Sequence, residues 1–135
     1  MFIGREKELA KLNQLYQTET FQFPVIYGRR RVGKTALINE FVKNKAVIFF
    51  TGIESNSQQN LENLSKSIFL YTTGIDSSPV FPSFQSALEY VFKLAEQKRI
   101  VFVIDEYPYA AKSYNALSSV LQVLIDKNKD TSKLF

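Results

Sequence analysis

The sequence predicts an α/β fold in which a parallel sheet is covered by helices, and three observations carry that prediction. Residues 25–27, 46–50 and 100–104 are short runs that are apolar at every position or nearly so, ending in Tyr27, Phe50 and Ile104. A strand buried on both faces reads in this way, as strands of parallel sheets do. Between the runs lie longer segments whose apolar residues recur every three or four positions, the period of a helix with one buried face. The first run leads directly into Gly-Arg-Arg-Arg-Val-Gly-Lys-Thr at residues 28–35, so a strand, a glycine-containing loop and a helix follow one another.

Taken in order, residues 4–17 predict a helix. Glu6 and Glu8 stand in its first turn, where the helix dipole favours acids, and Leu9, Leu12 and Tyr16 share a face. After the loop, Ala36, Leu37, Ile38, Phe41 and Val42 hold the helical period, and Asn44 and Lys45 end it. Residues 51–56 are a polar loop before a helix marked by Leu61, Leu64, Ile68 and Tyr71 that stops by Gly74. Residues 74–82 contain Asp76, Ser77, Ser78 and two prolines, which is loop chemistry. They are no domain linker, because neither half would then have enough strands to close a core. Ser83 is placed to cap the next helix, whose face carries Phe84, Ala87, Leu88, Val91, Leu94 and Ala95. Residues 107–109 read as a strand-to-helix corner, and a last helix presents Leu117, Val120, Leu121, Leu124 and Ile125. The 135 residues therefore read as one domain.

Composition excludes several chemistries. Cysteine and histidine are both absent, which removes disulfides, thiol nucleophiles, Ser-His triads and the usual zinc sites. The longest apolar runs have five residues, against the roughly 20 needed to span a bilayer, so no membrane role is expected. Met1, Phe2 and Ile3 are followed at once by Gly4, Arg5 and Glu6, too short an apolar stretch for a secretory signal, and the expected location is the cytoplasm. Net charge is +4, and its excess lies in residues 1–45, which carry nine basic and four acidic side chains. The rest of the chain shows no basic face, and nucleic-acid binding is unsupported.

The loop at 28–35 matches a phosphate-binding pattern at each fixed position. Gly28 and Gly33 allow a tight turn whose N–H groups point inward around phosphate oxygens. Arg31, Val32, Gly33, Lys34, Thr35 and Ala36 continue that cradle into the first turn of a helix, where the dipole favours anions. Lys34 reaches the β- and γ-phosphates, and the Thr35 hydroxyl is a ligand for Mg²⁺. Arg29 and Arg30 occupy variable positions that read as outward and solvated.

A second motif closes the third apolar run, where Asp105 and Glu106 follow residue 104 at the strand's carboxyl edge. This pattern looks like a Walker B motif, with Asp105 on Mg²⁺ and Glu106 polarising the attacking water. Glu54, in the loop after the second strand, is a further acid facing the same edge. GTPases carry Asp-x-x-Gly after the equivalent strand, whereas Asp105 is followed by Glu106, Tyr107 and Pro108. Residues 128–131, Asn-Lys-Asp-Thr, place their acid one position early for guanine recognition.

With both motifs present, the chain resembles the AAA+ ATPases of the ASCE type and their signal-transduction relatives, in which a glutamate follows the Walker B aspartate. The opening segment from Phe2 to Leu9 is similar to the Phe-x-Gly-Arg-x-x-Glu-Leu stretch that lies against adenine in many of these proteins. Carried over, Ile3, Gly4 and Arg5 fall on the base and ribose side of the site. The loop of residues 28–35 is that of a prokaryotic AAA-type ATPase group. The resemblance implies a three-layer P-loop NTPase fold, with a parallel sheet and helices on both faces. It also implies that residues 1–135 are a nucleotide-binding domain incomplete at its carboxyl end. In that family a further strand, drawn from sequence beyond Phe135, stands between the phosphate-loop strand and the Walker B strand. The sheet is therefore expected to carry an open slot with unpaired backbone groups, weak stability and a tendency to self-associate.

The resemblance implies binding and Mg²⁺-dependent hydrolysis of ATP, with ADP as product, coupled to conformational change in a longer protein. The alternative is a nucleotide-gated switch with negligible turnover. A small-molecule kinase lacks an evident acceptor pocket or Arg-rich lid. If the loop holds phosphate, Lys34→Ala should weaken binding of ATP with Mg²⁺ by about 1.5–3 kcal/mol, roughly ten- to hundredfold. Titration calorimetry on the two proteins measures this, and equal affinities would contradict the role given to Lys34.

Overall fold

The computed structural model describes residues 6–18, 20–24, 34–74 and 79–135. In chain order its elements are α1 (Glu6–Tyr16), α2 (Lys34–Val42), β1 (Val47–Thr51), α3 (Ser57–Thr73), α4 (Phe84–Leu94), β2 (Val101–Asp105), α5 (Tyr107–Ser113) and α6 (Leu117–Asn128). The strand expected at residues 25–27 lies outside the described residues.

Strands β1 and β2 pair in parallel, in a register running from Val47 opposite Val101 to Thr51 opposite Asp105. Ala46 accepts from the Val101 amide at one end, and the Gly52 amide donates to the Asp105 carbonyl, 2.8 Å away, at the other. Parallel neighbours need a crossover, which α3 and α4 supply. Both strands lie one residue later than their apolar runs, because hydrogen bonding rather than apolarity sets their ends. Two polar residues, Thr51 and Asp105, are thereby held inside the ladder.

Successive strand side chains point to opposite faces, and the buried residues divide accordingly. Ile48 and Phe50 pack with Leu61, Leu64 and Ile68 of α3, Leu88 and Val91 of α4, and Leu117 and Leu121 of α6. Val101 and Val103 pack instead with Leu12 of α1, with Leu37, Ile38 and Phe41 of α2, and with Phe135. The helical periods read from the sequence are thus buried against the two faces of the strand pair. Helix ends follow their local chemistry. Asn56 accepts from the Gln59 amide at the start of α3, Gly74 closes that helix at φ +74°, and Ser83 and Ser86 form a capping box for α4. Among the described residues, no helix is long and apolar enough to cross a membrane.

The edge of β2 that faces away from β1 is met by residues 134 and 135 of the chain itself. Leu134 bridges Ile100 in parallel, the Phe102 amide donates to the Phe135 carbonyl, and the Phe135 amide donates to the Ile100 carbonyl. These contacts use the edge of β2 that faces away from β1. The Gln22 amide in turn donates to the Leu134 carbonyl, so residue 22 lies on the far side of residues 134 and 135.

Arg99, just before β2, ties these separate segments together. Its guanidinium donates to the carbonyls of Leu15, Thr20, Lys133 and Leu134 and lies over the rings of Tyr16 and Phe135. A charged donor to carbonyls contributes more than a neutral one, about 1.5–3 kcal/mol, and here it also orders three stretches of chain. Arg99→Met keeps much of the apolar stem but removes every one of those bonds. It should lower the unfolding free energy by about 2–3 kcal/mol and the melting temperature by roughly 5–12 °C. Thermal and urea unfolding of the two proteins check this, and coincident curves would show that the carbonyls are equally well satisfied by water.

Candidate nucleotide site

The described part of the site is built where α2 begins and β2 ends. Leu37, Ile38 and Phe41 are buried under the strand pair and fix the helix axis, which leaves the first turn at the carboxyl edge of the sheet. Lys34 opens the helix and is half-buried, while Thr35 and Ala36 are exposed. Open α/β sheets bind ligands at this edge.

Thr35 and Asp105, seventy positions apart in sequence, meet there. The Thr35 hydroxyl Oγ1 donates to Asp105 Oδ2 at 3.2 Å. Asp105 is only 7% exposed, so its carboxylate needs partners. Its other oxygen, Oδ1, accepts from the backbone N–H of Glu106 at 3.0 Å. Two oxygens of different elements therefore stand side by side, one of them formally charged. This is the donor type that a hard cation prefers.

Glu106 adopts a left-handed backbone conformation, φ +55° and ψ +43°. Such a conformation costs a side-chain-bearing residue roughly 1–2 kcal/mol. It ends β2 abruptly and starts α5, because the Tyr109 amide returns to the Glu106 carbonyl at 3.1 Å. Pro108 falls in the first turn of α5, where its missing N–H leaves no helical bond unmade. Residues 107–109, read from sequence as a corner, are thus the first turn of a short helix, and the corner itself is Glu106.

Of the predicted site residues, Lys34, Thr35, Ala36, Asp105 and Glu106 are brought to this edge. Ile3, Gly4, Arg5, Gly28, Arg31, Val32 and Gly33 lie outside the described residues, as do Arg29 and Arg30. Glu54 is exposed in the loop after β1, and no hydrogen bond or ion pair among the described residues joins it to Thr35 or Asp105. That loop is held by a residue the sequence reading passed over. Asn60 is fully buried in α3; its Oδ1 accepts from the Ile53 amide and its Nδ2 donates to the Ile53 carbonyl, to the Asn56 carbonyl and to Ser113 Oγ. Asn63 adds a bond to the Thr51 carbonyl. The available signal was a polar residue four positions before Leu64 and eight before Ile68, on the buried stripe of the helix.

The opposite, amino-terminal end of the strands carries an open recess of about 630 Å³, lined by Tyr16, Lys45, Tyr71, Lys98 and Arg99 among others. Two of its cations, Lys45 and Arg99, are engaged in holding the fold. Lys45 Nζ donates to the Phe41 carbonyl at 2.6 Å and to Asn13 Oδ1, and sits over the Phe41 ring. Burial pushes its pKa below the ordinary lysine value.

An α/β chain with a helix start and a buried aspartate joined at the carboxyl edge of a parallel strand pair fits a nucleotide-binding class of domain. The family model for an ATPase domain found predominantly in Archaea matches residues 2–135, and the chain belongs to that family. An uncharacterized protein of Methanocaldococcus jannaschii is 29% identical over 133 residues, covering 98% of this chain and 28% of that protein. The chain therefore spans little more than a quarter of that relative's length. A second protein of the same organism, described as an uncharacterized ATP-binding protein, is 43% identical over 47 residues, 35% of this chain and 80% of that protein. An uncharacterized ATP-binding protein of Pyrococcus abyssi is 49% identical over 43 residues, 32% of this chain and 13% of that protein. No solved structure matches.

Proposed function

We propose that this chain is a P-loop ATPase domain of the AAA+ kind, which binds ATP with Mg²⁺ and hydrolyses it to drive a conformational change in a longer protein. The observation that carries this reading is the 3.2 Å hydrogen bond between Thr35 and Asp105, residues that the two sequence motifs single out independently. Membership of an ATPase-domain family and the ATP-binding names of two relatives support it. Apolar clusters on both faces of the strand pair support a three-layer arrangement.

The residues present fit a magnesium ion. Mg²⁺ takes oxygen ligands, keeps several waters and needs only one or two protein oxygens beside the phosphates. Thr35 Oγ1 and Asp105 Oδ2 are the pair that would hold it, and the bound ion would supply charge neutralisation at the phosphates. Lys34 contributes a second positive charge, and residues 28–33 the backbone donors. Glu106 accepts the proton of the attacking water, and Asp105, tied to the Glu106 amide, orients that turn of backbone. Phosphoryl transfer of this type is catalysed mainly by positioning and charge, so the lack of histidine and cysteine is no obstacle.

The two acids then have separable jobs. Glu106→Gln should leave affinity for ATP with Mg²⁺ within about threefold of the parent and lower turnover by roughly 10²–10⁴. Asp105→Asn should instead weaken nucleotide binding in Mg²⁺ and leave binding in excess chelator unchanged. Steady-state hydrolysis and calorimetry with and without Mg²⁺ measure both. Parent-level turnover in Glu106→Gln would overturn the assignment of the base, and negligible turnover in the parent would favour the nucleotide-gated switch.

A further inference from the structure

Gly52 follows the last residue of β1, and its neighbourhood leaves no room for a side chain. A Cβ at that position would lie 2.6 Å from the Glu106 carbonyl oxygen, 3.0 Å from the Ala110 nitrogen and 3.2 Å from the Ala110 Cβ. The first of these is a distance that real Cβ atoms essentially never show, and the opposing atom is backbone, so several tenths of an ångström of chain movement would follow. The oxygen concerned belongs to the residue with the left-handed backbone at the end of β2.

Gly52 has little freedom to retreat. Its own amide donates to the Asp105 carbonyl at 2.8 Å, continuing the β1–β2 ladder. The next residue, Ile53, is bonded through both its N–H and its C=O to the side chain of Asn60, which is buried on α3. Asn60 also donates to Ser113 Oγ, near the far end of α5. The chain at Gly52 is therefore pinned on each side, and the same side chain that pins it holds α5. A Cβ at position 52 would therefore press on the Glu106 turn and the middle of the seven-residue helix α5, whose far end is fixed by the bond from Asn60 to Ser113.

We infer that Gly52 is a positioning residue for Glu106: its bare Cα, held by Asn60 and linked through Ser113 to α5, seats the Glu106 carbonyl and thereby aims the turn that presents the Glu106 carboxylate. This inference rests on the reading of Glu106 as the base. Displacement at a reacting centre by a fraction of an ångström to an ångström costs rate far more than affinity, up to about 10² for a full ångström. The contact thus acts on turnover and not on the α2 end of the site, where phosphate is bound.

Gly52→Ala, prepared in the full chain, should lower kcat for ATP hydrolysis 10- to 100-fold while KM, and the calorimetric affinity for ATP with Mg²⁺, stay within threefold. Ser113→Ala, which cuts the link from Asn60 to α5 without adding bulk, should lower kcat three- to tenfold with KM unchanged. It serves as the second variant should Gly52→Ala fold poorly. Gly74→Ala is the control, since it strains a left-handed glycine that has nothing within 4 Å of its Cβ; it should lower the melting temperature and leave kcat unchanged. Added to Glu106→Gln, Gly52→Ala should have no further effect on kcat, because the residue it positions no longer acts. A multiplicative effect in that double variant would overturn the inference, as would unaltered kcat in both Gly52→Ala and Ser113→Ala. Those failures are distinct from failure of the functional reading, which would appear as full turnover in Glu106→Gln alone or as no turnover in the parent, and either of those would overturn the inference as well.

Discussion

The parallel pairing of β1 with β2 is the constraint on which the remaining structure depends. A parallel pair cannot close through a tight turn, so the chain between the strands must travel back along their whole length, and α3 and α4 make that journey. Both faces of the pair are apolar, so each must be covered. Ile48 and Phe50 draw the crossover helices and α6 to one side, and Val101 and Val103 draw α1 and α2 to the other. Because α2 is held by its buried face, its first turn stops at the level where β2 ends. The meeting of Thr35 with Asp105 is a result of that register.

The same register explains a division of labour between the two ends of the sheet. At the amino ends, Arg99 and Lys45 spend their charges on backbone carbonyls of α1, α2 and the last residues of the chain. Such contacts stabilise a fold and leave little free charge for a ligand. At the carboxyl ends the described polar groups are differently placed. One buried carboxylate accepts at one oxygen from the Thr35 hydroxyl, seventy positions away in the chain, and at the other from the neighbouring Glu106 amide, and a left-handed turn follows it. A strained residue beside a buried acid is stable only when its surroundings over-determine it, which Gly52, Asn60 and the start of α5 together do.

Buried polar side chains connect these layers. Asn60, in the middle of an otherwise apolar stripe, is fully satisfied by Ile53, Asn56 and Ser113. An unsatisfied amide there would cost about 1–3 kcal/mol, so the network specifies one arrangement of the loop after β1. Glu54, carried by that loop, remains exposed and is not drawn into the Thr35–Asp105 pair.

Much of this was legible in the chain of residues alone. Apolar runs, helical periods and capping residues determined the α/β class, the positions of five of the six described helices and both described strands to within a residue or a few, since these signals are local. The spacing of glycines, Lys34 and Thr35, and the two acids after the third run, marked Lys34, Thr35, Asp105 and Glu106 as candidates for one site, and the structure brings them to the same edge of the strand pair. The tertiary structure alone decided what depends on distant groups meeting: that β2 takes β1 on one edge and residues 134 and 135 on the other, that Arg99 reaches a carbonyl 84 positions away, that Glu106 turns left-handed to begin a helix, and that Gly52 and Asn60 support it. A glycine after a strand and an asparagine on a helix are ordinary in sequence. They acquire their roles only when packing brings the Glu106 carbonyl, just past β2, within 2.6 Å of where a Cβ would stand.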